Sequence, residues 1–332
     1  MIIAADERAI AQAARALRDG QLVGIPTETV YGLAANATDD AAVAQIFVAK
    51  GRPADHPLIV HVASAAQVPI FAAQVPEFAQ ALIDAFWPGP LTLILPRQSG
   101  VAMASAGGQD SIGLRCPSHP VSQQLLQACA ALGVQGVSAP SANRFGRVSP
   151  TTAAHVQSEL GQDLLILDGG ECAVGIESTI IDCTRGEPVL LRPGHITRLQ
   201  IEAACGRTVL DKDALTQAAP RASGTLESHY APRAKVRLMS AQDIDAKLQA
   251  LGPHANNLGV WSAQRPDAGA GAGAGAGVVW RAQSTSAEQA AHDLFSVLRD
   301  LDVRGVTQIW VQLPPDTPEW EGVLDRLKRA AA

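Results

Sequence analysis

Apolar positions three and four residues apart open the chain. Ile10, Ala13, Ala14 and Leu17 share one helical face, with Asp6 placed to cap the helix and Gly20 to end it. Leu22–Ile25 reads as a short buried strand that Pro26 stops, and a second helix runs from Asp39 to Ala49 before the breakers Gly51 and Pro53. Further short strands follow at Leu58–Val62, Leu91–Leu95, Ser111–Arg115, Gly136–Ala139, Leu164–Leu167, Ser178–Asp182 and Pro188–Arg192. The second of these is entered through the stiff turn Trp87-Pro88-Gly89-Pro90. Strands and helices intermix without the repeat of a barrel, which predicts a twisted α/β sheet.

The pattern then changes. Gln217–Arg233 has few long apolar residues and holds Pro220, Gly224 and Pro232, so it reads as a linker. Beyond it come strand Lys235–Met239, helix Ala241–Leu251, strand Leu258–Ser262, helix Ala287–Leu301, strand Thr307–Gln312 and a last helix near Glu319–Arg329. Such alternation predicts a small parallel, Rossmann-like sheet. The expected division is therefore 1–216, a linker 217–233, and 234–332. An Ala/Gly tract, Ala268–Gly277, interrupts the second part. No Lys-Ser/Thr pair follows it, so it reads as a flexible surface loop and not as a phosphate loop.

Composition narrows the function classes. The 332 residues exceed what one core usually organises, and 47% are apolar, which suits packed domains. A net charge of −6 disfavours a protein that lives by unspecific phosphate contacts. Five scattered cysteines, with no C-x-x-C pair, suggest neither a zinc site nor a disulfide framework, and a reducing cytoplasm suits them. No apolar run of about 18 residues occurs, and Asp6, Glu7 and Arg8 break the N-terminal one, so neither a membrane span nor a signal peptide is expected.

Polar residues with chemical potential gather after strands. Pro26-Thr27-Glu28-Thr29-Val30-Tyr31-Gly32-Leu33 lines a loop with hydroxyls, although capping threonines in a strand-to-helix turn would look similar. Lys50 and Arg52 flank Gly51, one a point charge and the other a fork suited to phosphate, or else both merely complement a helix C-terminus. Ser138-Ala139-Pro140-Ser141-Ala142-Asn143, with Arg144, Arg147 and Ser149 behind it, suits an anion-binding loop or a solvated one. A last group comprises Gly175-Ile176-Glu177-Ser178-Thr179 and Leu191-Arg192-Pro193-Gly194.

In order and spacing these stretches resemble the threonylcarbamoyl-AMP synthase family, in its long form with a YrdC-like domain and a smaller C-terminal one. The resemblance runs through P-T-E-T-V-Y-G-L, A-K-G-R-P, P-L-I-V-H-V, W-P-G-P-L-T-L-I-L, G-L-R-C-P, S-A-P-S-A-N, V-G-I-E-S-T-I-I-D, L-R-P-G and S-H-Y-A-P, from about residue 20 to 232. It implies a twisted mixed-sheet YrdC-like domain followed by the Rossmann-like one. It also implies condensation of threonine, bicarbonate and ATP to threonylcarbamoyl-AMP and pyrophosphate, with Mg²⁺ accompanying ATP. Separate proteins would carry the product to adenosine 37 of tRNA.

By the same resemblance Thr29, His61, Arg115, Ser141 and Ser178 hold threonine, and Arg115 suits its carboxylate. Lys50, Arg52, His56, Ser111, Ala139, Asn143, Ser149, Arg192 and Tyr230 contact ATP, with Lys50 and Arg52 as the catalytic cations and Tyr230 in a lid, Ser228–Pro232. His56 stands where the family more often has Asn, and Thr225-Leu226 where it more often has Gly-Met. No dedicated carboxylate cage for the metal is expected. Replacing Arg52 or Arg115 by Ala is expected to abolish activity at little cost in stability. An RNA-binding reading would instead line Lys50, Arg52, Arg144, Arg147 and Arg192 along a phosphate backbone.

Overall fold

The computed structural model describes residues 1–225, 229–265 and 277–332. It divides into two compact units: Met1–Phe145 with Ser149–Thr225, and Gly146–Val148 with Leu226–Ala332. The stretch 217–233 is shared between them. The Ala/Gly tract lies outside the described residues, apart from Gly277.

Among the described residues the first unit carries eleven strands: β1 (Ile2–Ala4), β2 (Val23–Ile25), β3 (Gly32–Asn36), β4 (Ile59–His61), β5 (Leu91–Pro96), β6 (Ser111–Arg115), β7 (Val137–Ser138), β8 (Leu165–Asp168), β9 (Thr179–Asp182), β10 (Val189–Arg192) and β11 (Leu210–Asp211). Their order in the sheet is β1-β8-β2-β3-β7-β4-β6-β5-β9-β10-β11, with parallel and antiparallel pairs mixed. Two consequences matter for function. β4 and β6 run parallel with His61 opposite Arg115, and β7 lies antiparallel on the other side of β4 with Ser138 opposite Val60.

The helices obey the caps written in the sequence. Asp6 accepts a hydrogen bond from the Ala9 amide at 2.7 Å, and helix Glu7–Arg18 buries Ala9, Ile10, Ala13, Ala14 and Leu17. These pack with Val23, Ile25, Leu125 and Leu126, where truncating a leucine such as Leu17 typically costs about 2–5 kcal/mol. Helix Asp40–Lys50 is capped by Asp39 through the Ala41 and Ala42 amides, and it ends at Gly51 with φ +62°. That left-handed residue releases Arg52 from the helix axis two positions after Lys50.

The loop after Pro26 leads into β3, which pairs antiparallel with β2, so it joins two strands and not a strand to a helix. Helices Glu77–Phe86, Pro120–Ala131, Ala153–Leu160 and Arg198–Cys205 add to those read from the sequence. In the second unit β12 (Lys235–Met239), β13 (Leu258–Ser262), β14 (Val278–Ala282) and β15 (Gln308–Gln312) form a wholly parallel sheet in the order β12-β15-β13-β14. Its core joins Met239, Ile244, Leu248, Leu258, Val260 and Trp310.

Candidate active site

Loops at the strand ends of the first unit bring charged and hydroxyl side chains out of water together. The loop between β2 and β3 is held by Thr27, whose hydroxyl receives the Thr29 and Val30 amides at 3.2 Å and donates to the Val30 carbonyl at 2.6 Å. Its Oγ1 is also hydrogen-bonded to Thr29 Oγ1 at 2.9 Å. From the end of β6, Arg115 donates through Nη1 to Thr29 Oγ1 at 2.8 Å and through Nε to the Gly89 carbonyl at 3.3 Å. Its Nη2 lies 2.8 Å from Glu28 Oε1, and both partners are buried.

His61 sits beside this group, with Nδ1 3.3 Å from the Ile59 carbonyl. Burial and then the neighbouring Arg115 charge push its pKa down to about 3, so the ring is neutral across physiological pH.

A second set of contacts continues from β5. Thr92 and Ser178 share a hydrogen bond of 2.7 Å. Arg192, at the end of β10, donates through Nε and Nη2 to the Ser178 carbonyl at 3.1 and 2.8 Å, and through Nη2 to its hydroxyl at 3.2 Å. The third nitrogen of the same fork donates to the Ser223 carbonyl at 2.8 Å, and the Ser223 hydroxyl lies 3.3 Å from Arg52 Nη2. Arg52 also donates to the Pro57 carbonyl at 2.9 Å. Ser223 thus ties two guanidinium groups whose parent residues are 140 positions apart in the chain.

Lys50 completes the cationic side. Its ammonium nitrogen donates to the carbonyls of Ser141 and Asn143, holding the Ser138–Asn143 loop against the helix end. Burial first, and then repulsion from Arg52, hold its pKa well below the usual lysine range. Glu159 and then Glu177 oppose that effect, and the Glu177 carboxylate accepts a hydrogen bond from Ser149. The neighbouring strands β6, β5, β9 and β10 thus carry a threonine-hydroxyl and guanidinium corner at Arg115 and a second set in which Ser223 joins Arg192 to Arg52, with Lys50 near Arg52. Such an arrangement can seat a small zwitterion beside a polyanion.

Two family models match the chain. A model described as Sua5_yciO_yrdC, telomere recombination, matches residues 15–194, and one described as threonylcarbamoyl-AMP synthase, C-terminal domain, matches residues 196–332. The threonylcarbamoyl-AMP synthase of Pyrococcus abyssi (strain GE5 / Orsay) is 38% identical over 338 residues, covering 98% of this chain and 95% of its own. This chain belongs to the threonylcarbamoyl-AMP synthase family.

The Bacillus subtilis (strain 168) synthase is 38% identical over 327 residues, covering 97% of this chain and 92% of its own. The crystal structure of P. abyssi Sua5 complexed with L-threonine superposes with a TM-score of 0.88 at 36% identity, covering 100% of this chain and 97% of that one. Family membership carries with it the fold and the nucleotidyl-transfer activity read from the sequence.

Of the residues the sequence nominated, Thr29, Arg115, Ser178, Arg192, Arg52, Lys50, Ser141 and Asn143 stand within the contacts described above. Ala139 donates its amide to the Ile59 carbonyl at 3.1 Å, on the strand that carries His61. Ser111 is buried at the far end of β6 from Arg115, roughly 13 Å along the strand.

His56 is half-buried and meets Phe145 edge-on with ring centroids 5.4 Å apart, and Arg52 lies 5.7 Å from the centre of the same ring. Burial and Arg52 lower the pKa of His56. Tyr230 belongs to the second unit, where it takes φ +63° and packs on Phe295, with Arg326 over its ring at 5.5 Å. The lid stretch, residues 228–232, is described from His229 onward.

Three neighbours escaped the sequence reading. Thr92 has an apolar strand on either side and reads as core. Ser223 sits in a stretch that reads as linker. Glu28 lies inside the first motif, yet nothing in residue type alone shows that it meets Arg115.

The Glu28–Arg115 pair corrects one expectation. Removing Arg115 strands a buried carboxylate, so its loss costs stability as well as activity. Burial also removes Lys50, Arg52 and Arg192 from any exposed phosphate-tracking surface, which leaves Arg144 and Arg147 alone from the RNA-binding set.

Proposed function

We propose that this chain condenses threonine, bicarbonate and ATP into threonylcarbamoyl-AMP and pyrophosphate at the site formed by Thr29, Lys50, Arg52, His61, Arg115, Ser141, Ser178 and Arg192. The observation that carries the assignment is that the neighbouring strands β6, β5, β9 and β10 carry two buried sets of side chains, Arg115 with Thr29 and Glu28, and Arg192 with Ser178, Thr92 and, through Ser223, Arg52. Arg115 and Thr29 hold the threonine carboxylate, while Ser178, Ser141 and neutral His61 serve its hydroxyl and the growing carbamate. Lys50, Arg52 and Arg192 take the triphosphate, with Asn143, Ser149, His56, Ser111 and the Ala139 backbone around the nucleotide.

Two bonds are made. The threonine amine joins the bicarbonate carbon, and the resulting carbamate oxygen attacks the α-phosphorus as the bond to pyrophosphate breaks. No side chain has to form a covalent intermediate. Positioning supplies up to about 7–11 kcal/mol in well-oriented cases, and fixed cations stabilise charge as pyrophosphate leaves. Mg²⁺ arrives with ATP. The nucleotide side of the site is cationic, so Mg²⁺ would take most of its ligands from phosphate oxygens and water.

The product is a labile mixed anhydride that passes to separate tRNA-modifying proteins. Free cysteines, four of them buried, suit a reducing cytoplasm, and among the described residues no helix is long and apolar enough to cross a membrane.

Pyrophosphate release from ATP, Mg²⁺ and bicarbonate with single amino acids tests the proposal. Threonine should stimulate release strongly. Equal stimulation by serine or glycine overturns the substrate assignment.

A further inference from the structure

Among the described residues three carboxylates are buried: Glu28, Glu177 and Asp182. Asp182 receives hydrogen bonds from Arg185 and Thr184, and Glu177 receives one from Ser149. Glu28 differs. It is 6% exposed, stands 2.8 Å from Arg115 Nη2, and neither of its oxygens accepts a well-formed hydrogen bond.

A buried carboxylate with open lone pairs is expensive unless a ligand completes it. Its backbone is not loose, because the Glu28 carbonyl receives the Val174 amide at 2.7 Å and Thr27 pins the following residues.

We propose that Glu28 receives the ammonium group of the amino-acid substrate and takes a proton from it as the carbamate forms. The inference rests on the placement of the threonine carboxylate at Arg115. A zwitterion carries both charges, and a site offering only Arg115 would bury the ammonium without a partner. Glu28 and Arg115 present the two complementary charges side by side, and the substrate enters between them, replacing one internal ion pair with two to ligand.

The amine must be neutral to attack carbon. An N–H bond of the ammonium breaks and its proton passes to a Glu28 oxygen. The freed lone pair forms the N–C bond to bicarbonate, and the bicarbonate C–OH bond breaks. That hydroxide leaves as water with a second proton from nitrogen. Glu28 then returns its proton to solvent, so the net change is one water and one proton released per carbamate.

The charged and titratable groups facing Glu28 are Arg115 and Cys116 from β6 and the segment after it, His119 at the cap of helix Pro120–Ala131, and Cys172. Burial pushes both thiols up and His119 down, so all three are neutral around pH 7 and Glu28 is the acceptor among them.

The test compares Glu28→Gln, Glu28→Asp and Arg115→Ala in the full-length chain, with folding checked by circular dichroism. Glu28→Gln should raise the threonine KM or lower kcat so that kcat/KM for threonine falls roughly 30-fold or more, with the ATP KM unchanged. Glu28→Asp should recover part of the loss.

Competition by 2,3-dihydroxybutanoate, which replaces the amine by a hydroxyl, separates recognition from folding. The wild type should prefer threonine to this analogue, and Glu28→Gln should lose that preference. The acid limb of the pH profile for threonine kcat/KM should also flatten in Glu28→Gln.

A folded Glu28→Gln with wild-type preference and pH profile overturns the role of Glu28, even if Arg115→Ala abolishes threonine dependence. Wild-type threonine dependence in Arg115→Ala overturns the seat itself.

Discussion

Lys50 illustrates how burial sets the working charge of a residue before substrate arrives. With its pKa held far down by desolvation and Arg52, and its nitrogen already donating to the Ser141 and Asn143 carbonyls, it sits closer to its neutral form than an exposed lysine. A triphosphate nearby favours the charged form, so nucleotide binding should take up protons through Lys50. Calorimetry of ATP binding in two buffers of different ionisation enthalpy should register that uptake, and Lys50→Met should remove it.

His61 makes a stability prediction with the opposite experimental handle. Its folded pKa near 3 lies below the ordinary value near 6.5, so between those values the unfolded chain binds the proton and the folded one does not. Stability from this group is complete above about pH 6.5 and is lost as pH falls toward 3, with a slope of up to ~1.4 kcal/mol per unit. Urea denaturation at pH 7 and pH 4.5 should show the loss, and His61→Gln should flatten it.

Arg115→Ala should cost about 3–5 kcal/mol in the same assay, because Glu28 then stays buried without its ion-pair partner. The family resemblance nominated Thr29 and Arg115. Neither it nor residue type revealed Glu28, since a glutamate after a threonine is equally at home on a solvated turn until the fold brings β6 alongside.

Elements governed by local chemistry were legible, and those governed by partners were not. Asp6 and Asp39 announce helices because a carboxylate at the N-cap satisfies amides the helix leaves open, and Gly51 closes its helix because it takes a left-handed φ. β3 was missed: Gly-Leu-Ala-Ala-Asn has weak strand preference, and its extended form follows from pairing with β2 on one side and β7 on the other. Helix Pro120–Ala131 follows the single His119 cap and hides its buried face among alanines and glutamines.

Spacing between elements also fixes the site. A Cβ built on Gly194 would stand 2.5 Å from the Thr179 nitrogen and 2.8 Å from both the Glu177 oxygen and the Ser178 carbonyl carbon. Those atoms are backbone and cannot swing aside. Gly194→Ala should therefore push Ser178 away from Arg192, lower pyrophosphate release at least tenfold and cost about 1–3 kcal/mol in thermal unfolding. Normal activity in a folded Gly194→Ala protein would remove the Ser178–Arg192 contact from the account of the site.

For the whole molecule, the place where the catalytic unit ends in sequence is a physical question about who holds residues 217–225. Their composition, short of long apolar side chains, reads as a linker, yet they belong to the first unit. Arg221 pairs with Asp55 at 2.8 Å and donates to the Gly107 carbonyl, its amide is received by Gln109, and Ser223 bridges Arg52 to Arg192. Truncation before Arg221 therefore removes contacts to two of the three cations assigned to the triphosphate, along with everything beyond. Truncation after Thr225 keeps them.

Both fragments lose the second unit, in which Arg147 meets Asp302 at 3.4 Å and Arg299 donates to the Val148 carbonyl, so Gly146–Val148 is left without its packing in either case. A comparison of residues 1–220 with residues 1–225 consequently isolates the segment from the domain. The longer fragment should bind ATP more tightly, by about tenfold if the Ser223 contacts to charged groups are worth ~1.5 kcal/mol, and should melt at a higher temperature. Equal affinities would mean that Arg52 and Arg192 hold their positions without Ser223, and the bridge would drop out of the account of nucleotide binding.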